Sequence, residues 1–467
     1  MENENKTNGL GKLNKWASTS VTLKLFIIGF LLLLLIVPNE MIKSLINERE
    51  QTRNEAVEEV SSKWGRAQYI GCPVISVPYE IVVTNENGKL VPERGFVHFL
   101  PENVDIQGDI KPEKRNRGIY VIMLYNSQLK IKGNFGALQL DALTIPKDKI
   151  NFKDAFITLG ISDMKGIKQD VKFKWNDKIL ECNPGLPTND VYSAGINVPI
   201  NLEGQSGNWN FDVDLKINGS SYIRFYPFGK ETTVTLNSSW DNPKFDGSFL
   251  PDTKQISNKG FDAKWKILHF NRNYPQQGQG NFIGTVRQDK SDGNVAPDYN
   301  YNNGELLDNA GTFGVKLLLP VDEYQKTFRS AKYSMMFVII TFLTFFFIEI
   351  LNKKRLHPIQ YLLIGAAVCL FYILLLSISE HLNFNKAYLI ACVIILALIT
   401  YYSKFILKNN TLTFVVAGVL GILYLFFYSL LQLQDYALIL GSVGLLVILS
   451  TIMYLTRNID WYKINEE

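Results

Sequence analysis

Hydrophobic residues along this chain are concentrated in one block near the start and five blocks near the end. The first block, residues 23–38, includes an unbroken run of leucine at 31–35. Each block approaches the ~20 residues that an α-helix needs to cross a ~30 Å hydrocarbon core. The pattern therefore predicts six transmembrane helices, the last five of which form a bundle over 331–456, at about 334–351, 361–378, 387–402, 412–431 and 436–455.

The first block follows a tail, residues 1–22, whose lysines suit either a cleavable signal peptide or a retained anchor. A signal peptide ends in small residues at its cleavage site. Here the block is followed instead by Asn39, Glu40 and Met41. We therefore expect the first helix to be kept as an anchor.

The orientation of the predicted helices follows from their flanking charges. Cytoplasmic loops carry an excess of lysine and arginine. With a cytoplasmic N-terminus, the two short loops on the far side carry only Lys386. This distribution predicts a bacterial inner-membrane protein with both tails, 1–22 and 457–467, in the cytoplasm, because the inside segments then hold Lys6, Lys12, Lys15, Lys353, Lys354, Arg355, Lys404, Lys408, Arg457 and Lys463.

The polar stretch between the first two helices, residues 39–330, has the pattern of a separate domain. Residues 40–64 place apolar side chains at helical spacing, so we expect a helical stalk there. After Gly65, short alternating runs recur with turn residues between them. The pattern predicts a β-rich extracytoplasmic domain of sandwich-like, antiparallel sheets. Its length allows either one domain or two packed ones.

Turn residues give the predicted strands their order. Hairpins are expected at Asn87-Gly88, Asn126-Ser127 and Asn176-Asp177, each of which lies between two alternating runs. Residues 271–309, rich in Asn, Gln, Gly and Asp, read as a long loop.

Composition adds little evidence for chemistry. The net charge of +4 is explained by the cytoplasmic segments, and nothing indicates a nucleic-acid partner. There are four histidines and no metal, nucleotide or nucleophile motif, so we expect no catalytic residue, metal or cofactor, and no enzyme activity. Asp212 and Asp214 share one strand face, which favours a solvated surface over a cation site. Cys72 and Cys182 are able to form a disulfide only if the fold brings them together.

Ionisable residues in the predicted bundle are candidates for a direct role, because charge within a membrane is costly. Glu349 lies late in the second helix, and Glu380 and His381 follow the third. The alternative for Glu349 is pairing with Lys353 or Lys354. Glu380 and His381 are expected at the outer interface, where water satisfies them.

A second candidate surface lies in the β-rich domain. Trp240, Phe245, Trp265 and Arg272 place aromatic rings and one cation close together in sequence. Most of these aromatic residues are expected in the core. Arg272, at the edge of a loop, is expected to be the least buried of the four and is the candidate for ligand contact.

Several stretches, read in order, resemble the CreD family of inner-membrane proteins. The similarity runs from about residue 40 to 456, and its motifs include Trp64-Gly65, Val77-Pro78-Tyr79, Arg117-Gly118-Ile119-Tyr120, Ser239-Trp240, Gly247-Ser248-Phe249-Leu250-Pro251, Pro320-Val321-Asp322, His357-Pro358-Ile359-Gln360-Tyr361 and Ser377-Ile378-Ser379-Glu380-His381. The chain departs from the expected glycine-proline pattern at Gly71-Cys72.

The resemblance implies a role in cell envelope integrity, in a family associated with the CreBC two-component regulon and with tolerance to envelope-directed agents. It implies no catalytic residue, ligand or cofactor. We therefore expect a non-enzymatic membrane protein that is surrounded by lipid and binds an envelope component or partner protein outside. The alternatives are a transporter or lipid-handling protein that uses the bundle, and a sensor that modulates a two-component system.

Overall fold

The first helix, α1, runs without a break over Val21–Trp64 and contains Pro38. This computed structural model describes residues 21–84, 88–205, 207–283, 311–317, 323–352, 354–432 and 437–457. The predicted tail up to residue 20, Asn87, most of the C-terminal tail and residues 284–309 of the predicted loop lie outside these ranges. The chain divides into a β-rich unit, Asn54–Pro320, and a helical unit formed by Met1–Arg53 with Val321–Glu467.

The helical unit contains six further helices among its described residues: α2 (Glu323–Lys332), α3 (Ser334–Leu351), α4 (Pro358–Ser379), α5 (Phe384–Leu407), α6 (Asn410–Gln432) and α7 (Ala437–Thr456). Among the described residues, five helices, α1 and α3–α6, are long and apolar enough to cross a membrane. The apolar stretch described for α7, Ile439–Tyr454, is shorter. The sixth span therefore stays a prediction.

One glycine in α4 lies where three helices of the helical unit pack closely. A Cβ atom built at Gly365 would lie 2.4 Å from Leu35 of α1 and 2.9 Å from Phe342 of α3. A side chain at residue 365 would therefore require the side chains of Leu35 and Phe342 to move. Asn39 in α1 and Ser334 in α3 are both buried and are hydrogen-bonded to each other, which joins α1 to α3.

The strands of the β-rich unit are β1 (Gln68–Thr84), β2 (Leu90–Phe99), β3 (Asn103–Arg117), β4 (Tyr120–Phe135), β5 (Phe156–Ile161), β6 (Lys172–Trp175), β7 (Lys178–Leu180), β8 (Asn183–Pro184), β9 (Gly195–Pro199), β10 (Trp209–Ser220), β11 (Tyr222–Phe225), β12 (Glu231–Ser238), β13 (Pro243–Gly247), β14 (Thr253–Ser257), β15 (Gly260–Leu268), β16 (Gln277–Gln279) and β17 (Phe313–Leu317).

Two sheets organise these strands. Within the described ranges, the first sheet has the order β13-β17-β11-β1-β5-β9-β8, with β2 also paired to β1, and β16 to β2. The second has the order β14-β15-β12-β3-β4-β10-β6-β7. The buried side chains of both sheets form one hydrophobic core, which includes Trp265, Phe135 and Phe225. Residues 54–320 are therefore a single compact unit rather than two.

Two expectations about the strands are wrong. The sheets are not wholly antiparallel, because β1 pairs with β11 and β12 with β3 in parallel. No turn forms at Asn126-Ser127, since both residues continue the ladder of β4, where Ser127 is opposite Ile110. The turn lies instead at Gly118, whose φ of 60° suits a tight reversal between β3 and β4. The hairpin at Asn176-Asp177 is observed between β6 and β7.

Candidate functional site

The carboxylate of Glu349, near the end of α3, is buried in the helical unit and bound by three donors. Its Oε1 atom accepts hydrogen bonds from Lys24 Nζ at 2.8 Å and from the backbone N–H of Leu356 at 3.1 Å. Its Oε2 atom accepts one from the Tyr361 hydroxyl at 2.9 Å. One carboxylate thus links α1, the end of α3 and the start of α4.

The cation that pairs with Glu349 is not the one that sequence proximity indicates. Lys353 lies outside the described residues, and Lys354 contacts Glu349 only through its backbone N–H, 3.0 Å from the carbonyl oxygen. The ion pair is made by Lys24, 325 residues away in the chain. A buried carboxylate that is paired and hydrogen-bonded has little capacity left for a passing substrate. The geometry therefore supports a structural role for Glu349.

Glu380, at the end of α4, belongs to a polar cluster, and its neighbour His381 is exposed. The Tyr324 hydroxyl donates to Glu380 Oε1 at 3.3 Å, and Arg49 Nε lies 3.9 Å from the same oxygen. The Arg53 guanidinium lies 6.0 Å from the centroid of the Tyr324 ring. The helical unit therefore joins Glu380 to α1 and α2, while Glu349 has a separate set of partners.

The side chain of Arg272 is half-buried in the β-rich unit, and it is less buried than Trp240 and Trp265. Nη1 donates to Tyr274 O at 2.8 Å, and Nη2 donates to Phe228 O at 3.4 Å and to the side-chain oxygen of Gln276. Burial lowers the pKa of Arg272. The reason for the burial is that carbonyl groups of two loops converge there. Arg272 therefore ties these loops together.

The aromatic residues of the second predicted surface are largely core, as expected. Trp240 and Trp265 are buried and Phe245 is half-buried. The rings of Phe245 and Trp265 meet edge to face with centroids 5.7 Å apart. Arg272 instead lies over the ring of Tyr274, 4.4 Å from its centroid. Arg272 and the aromatic cluster of Phe245 and Trp265 therefore make separate sets of contacts.

A buried Ser-His-Asp arrangement, missed by motif searching, connects the first sheet to a loop. Ser76 Oγ lies 2.8 Å from His98 Nδ1, and His98 Nε2 lies 3.1 Å from Asp190 Oδ2. The hydrogen bond from His98 is the largest cause of a lowered pKa for Asp190. Ser76 and His98 are cross-strand partners in β1 and β2. The signal in the sequence was a polar residue within each of these two apolar runs.

This arrangement is unsuited to nucleophilic catalysis. Ser76 is 1% exposed and His98 is fully buried, so a substrate carbonyl does not reach the hydroxyl in this conformation. The connections are also inverted, since a serine hydrolase triad uses Nε2 towards serine and Nδ1 towards aspartate. The three groups instead satisfy one another's hydrogen bonds where the loop of Asp190 meets the sheet.

The carboxylates of Asp212 and Asp214 lie on a solvated face of the second sheet, in agreement with the favoured interpretation. Asp212 lies opposite Lys132 of β4 and Lys174 of β6. Its Oδ2 atom is 3.6 Å from Lys132 Nζ. Asp214 lies in the same way between lysines of β4 and β6. Opposite charges on neighbouring strands stabilise a sheet, so both carboxylates have structural partners.

The thiols of Cys72 and Cys182 are free. Burial raises the pKa of Cys72 to about 12 and that of Cys182 to about 11. Cys72 Sγ lies 3.3 Å from Tyr226 O in the core. In the part of the chain that the structure describes, no group of three or more His, Cys, Asp or Glu residues is placed to hold a metal ion.

A cleft of about 640 Å³ in the β-rich unit combines polar and apolar walls. It is lined by Phe99, Leu100, Glu102, Lys230 and His269, by the residues of 135–139 and 142–144, and by residues 275–279, which include β16. Lys230 Nζ pairs with Glu102 Oε2 at 3.2 Å in this lining. Sequence reasoning missed the cleft because residues 271–279 carried only loop signals. We define these walls as the β-rich cleft.

A second cavity, also of about 640 Å³, lies in the helical unit between α3, α6 and α7. Its walls are almost wholly apolar and include Phe347, Ile422, Phe426 and Val443. Apolar walls of this kind suit hydrocarbon chains. We define these walls as the apolar groove.

Comparison with known proteins gives the family of the chain. Residues 20–462 match the family model described as inner membrane protein CreD. Inner membrane protein CreD of Escherichia coli (strain K12) is 32% identical over 438 residues, which cover 92% of this chain and 91% of that protein.

Similarity to solved structures is weak. An M1 zinc metallopeptidase from Deinococcus radiodurans, in its E323A form with a Tyr-Ser-Ala substrate, is 8% identical and has a TM-score of 0.18. The aligned part covers 39% of this chain and 41% of that one. The family match and the relative cover nearly the whole chain, and with its apolar helices they show that this multi-pass inner-membrane protein belongs to the CreD family.

Proposed function

We propose that this protein supports cell envelope integrity and stress tolerance by binding an envelope component in the β-rich cleft, without catalysing a reaction. The observation that carries the proposal is the cleft itself. Its volume of about 640 Å³ lies within the ~300–1,000 Å³ of small-ligand sites. Its walls offer apolar surface, amide groups and the Lys230–Glu102 ion pair to one ligand.

The positions of the basic residues support a topology that suits this role. We infer six transmembrane helices with lipid around them, both termini in the cytoplasm, and the β-rich unit outside, where envelope components are found. The excess of lysine and arginine on one side of the predicted helices is the basis for this inference. We also infer that nucleic acid is not among its partners.

Two features support a binding role over catalysis or transport. The serine of the Ser76–His98–Asp190 arrangement is buried. The carboxylate of Glu349 is bound by Lys24, Leu356 and Tyr361. Neither group is presented to a ligand in this conformation.

Complementation under envelope stress tests the proposal. Ala142 is exposed in the lining of the cleft, so Ala142→Trp should fill the cleft and abolish protection in cells that lack the native protein. Thr253→Trp, on the exposed strand β14, is the matched control and should protect fully. Equal protection by both variants, at equal membrane levels, would refute the proposal.

Lipid handling is the second candidate function, and the apolar groove is the observation that favours it. Val443→Trp should then displace co-purified lipid, measured by native mass spectrometry, and reduce protection. Leu389→Trp, on an exposed part of α5, is its control. Protection that fails with Val443→Trp but survives Ala142→Trp would favour lipid handling.

A further inference from the structure

Strand β16 presents an open edge in the β-rich unit. Among the described strands, β16 pairs with β2 alone. Gln276 O accepts from Leu100 N–H at 2.9 Å, and Gly280 N–H donates to Phe96 O at 3.1 Å. Along an antiparallel strand, residues alternate between bonding the neighbour and facing away from it. The backbone groups of the odd-numbered residues of β16 therefore face away from β2.

These open backbone groups belong to residues that line the β-rich cleft. Gln277 and Gln279 both line it, and the side-chain amide of each contacts residues in the neighbouring segment 139–144 of the same lining. Gln277 Nε2 donates to Gln139 O at 2.8 Å, and Gln279 Nε2 donates to Thr144 Oγ1 at 2.7 Å. The amide side chains thus hold residues 139–144 beside β16. Among the residues that the structure describes, nothing pairs with the two N–H donors and two C=O acceptors of Gln277 and Gln279 on the open side of the strand.

The remaining walls of the cleft provide side-chain contacts beside this edge. Leu138 and Leu143 are half-buried and contribute apolar surface. Glu102 and Lys230 contribute one charge of each sign. In binding by strand addition, backbone hydrogen bonds to such an edge give affinity, and pockets beside it select alternate side chains.

We infer that the β-rich cleft binds an extended peptide segment of a partner protein, which adds to β16 as a new strand. The inference rests on the proposed binding function and names the class of its ligand. The spacing of the open backbone groups of β16 is the reason for choosing a peptide as the ligand. Donor and acceptor pairs recur every second residue, ~6.8 Å apart, which is the repeat of an extended chain. A sugar ring does not reproduce this repeat.

A matched pair of variants at Gln277 tests the inference. Proline is tolerated on an edge strand where its missing N–H would face away from the sheet. Gln277→Pro should therefore keep the pairing with β2 but remove one open donor. Gln277→Ala removes the same side chain and keeps the N–H. The two variants thus separate backbone pairing from side-chain contact.

The probe is a 12-residue random peptide library, selected on the full chain in detergent micelles and followed by fluorescence anisotropy with the selected peptides. Gln277→Pro should weaken binding roughly tenfold or more, and Gln277→Ala less than about threefold. Methylating the odd-numbered backbone nitrogens of the peptide and methylating the even-numbered ones should have different effects. Only one of these two sets should block binding, because only every second N–H faces β16.

Failure of this inference is distinguishable from failure of the proposed function. Selection of no peptide, equal binding by the two Gln277 variants, or equal effects of both methylation sets would each overturn strand addition. If Ala142→Trp still abolished stress protection, the cleft would remain the functional site, with another ligand class. Conversely, a peptide that obeys the pattern, with full protection by Ala142→Trp, would keep the inference and reject the proposed function.

Discussion

Lys24 in the first helix lies 2.8 Å from Glu349, and this ion pair closes a network that also includes Leu356 and Tyr361. The side chain of Glu349 is 2% exposed, whereas that of Lys24 is 24% exposed. The pair therefore fixes α1 to α3, because loss of Lys24 would leave the buried carboxylate of Glu349 without its counter-charge.

Removal of Lys24 is expected to destabilise the protein more than removal of both partners. Lys24→Met leaves a buried carboxylate without its cation, at a cost of about 3 kcal/mol. The double variant Lys24→Met/Glu349→Gln should recover most of this loss. Thermal unfolding of the full chain in one detergent measures both. Lys404→Met, near the end of α5, is the control, and a double variant less stable than Lys24→Met would contradict the expectation.

Arg272 is expected to contribute to stability rather than to ligand contact. Arg272→Ala removes the hydrogen bonds to Tyr274, Phe228 and Gln276, and should cost about 1–3 kcal/mol. Arg272→Lys restores the charge without the planar fork and should recover only part of the loss. Denaturant unfolding measures the difference. A variant with native stability but without protection would indicate a ligand contact instead.

The pair of His98 and Asp190 predicts an acid dependence of stability. Because the folded pKa of Asp190 is lowered, chiefly by the hydrogen bond from His98, the ionised form stabilises the fold. That contribution is present above the unfolded pKa of about 4 and is lost as the pH falls through the folded pKa. Partial exposure limits it to below about 1 kcal/mol.

Asp190→Asn should accordingly lower the melting temperature at pH 7 and converge with the wild type near pH 3. Asp212→Asn, on the solvated sheet face, provides the comparison. An Asp190→Asn effect of the same size at both pH values would show that the carboxylate charge is not the cause.

The two cysteines of the β-rich unit should differ in reactivity. Cys72 is buried with its pKa raised to about 12, so a maleimide should label it only after unfolding. Cys182 is half-buried and should react slowly in the native protein. Peptide mass spectrometry of native and denatured samples reads both sites. A disulfide between them in freshly isolated membranes would contradict the structure.

The orientation of the chain is open to a direct test. The excess of basic residues in the segments expected inside predicts that a reporter active only outside the cytoplasm works after Lys259 and Asn383. A reporter active only in the cytoplasm should work after Asn409. The reverse pattern at these three sites would reject the proposed orientation and the outer position of the β-rich unit.

The sequence alone determined the apolar helices and most of the strands, because each depends on a local pattern of polar and apolar residues. The runs at α3–α6 and the hairpin at Asn176-Asp177 carry that pattern within a few residues. The turn predicted at Asn126-Ser127 failed, because β4 bonds both β3 and β10 along its length, and this pairing overrides a local turn preference.

Only the tertiary structure decided the contacts between distant residues. The partner of Glu349 lies 325 residues away, and β12 pairs in parallel with β3 across more than a hundred residues. The β-rich cleft is assembled in the same way, from segments near 100, 140, 230 and 277. Such contacts depend on how whole elements pack around a core. A local sequence pattern shows which face of an element is buried, but it does not show which other element packs against that face.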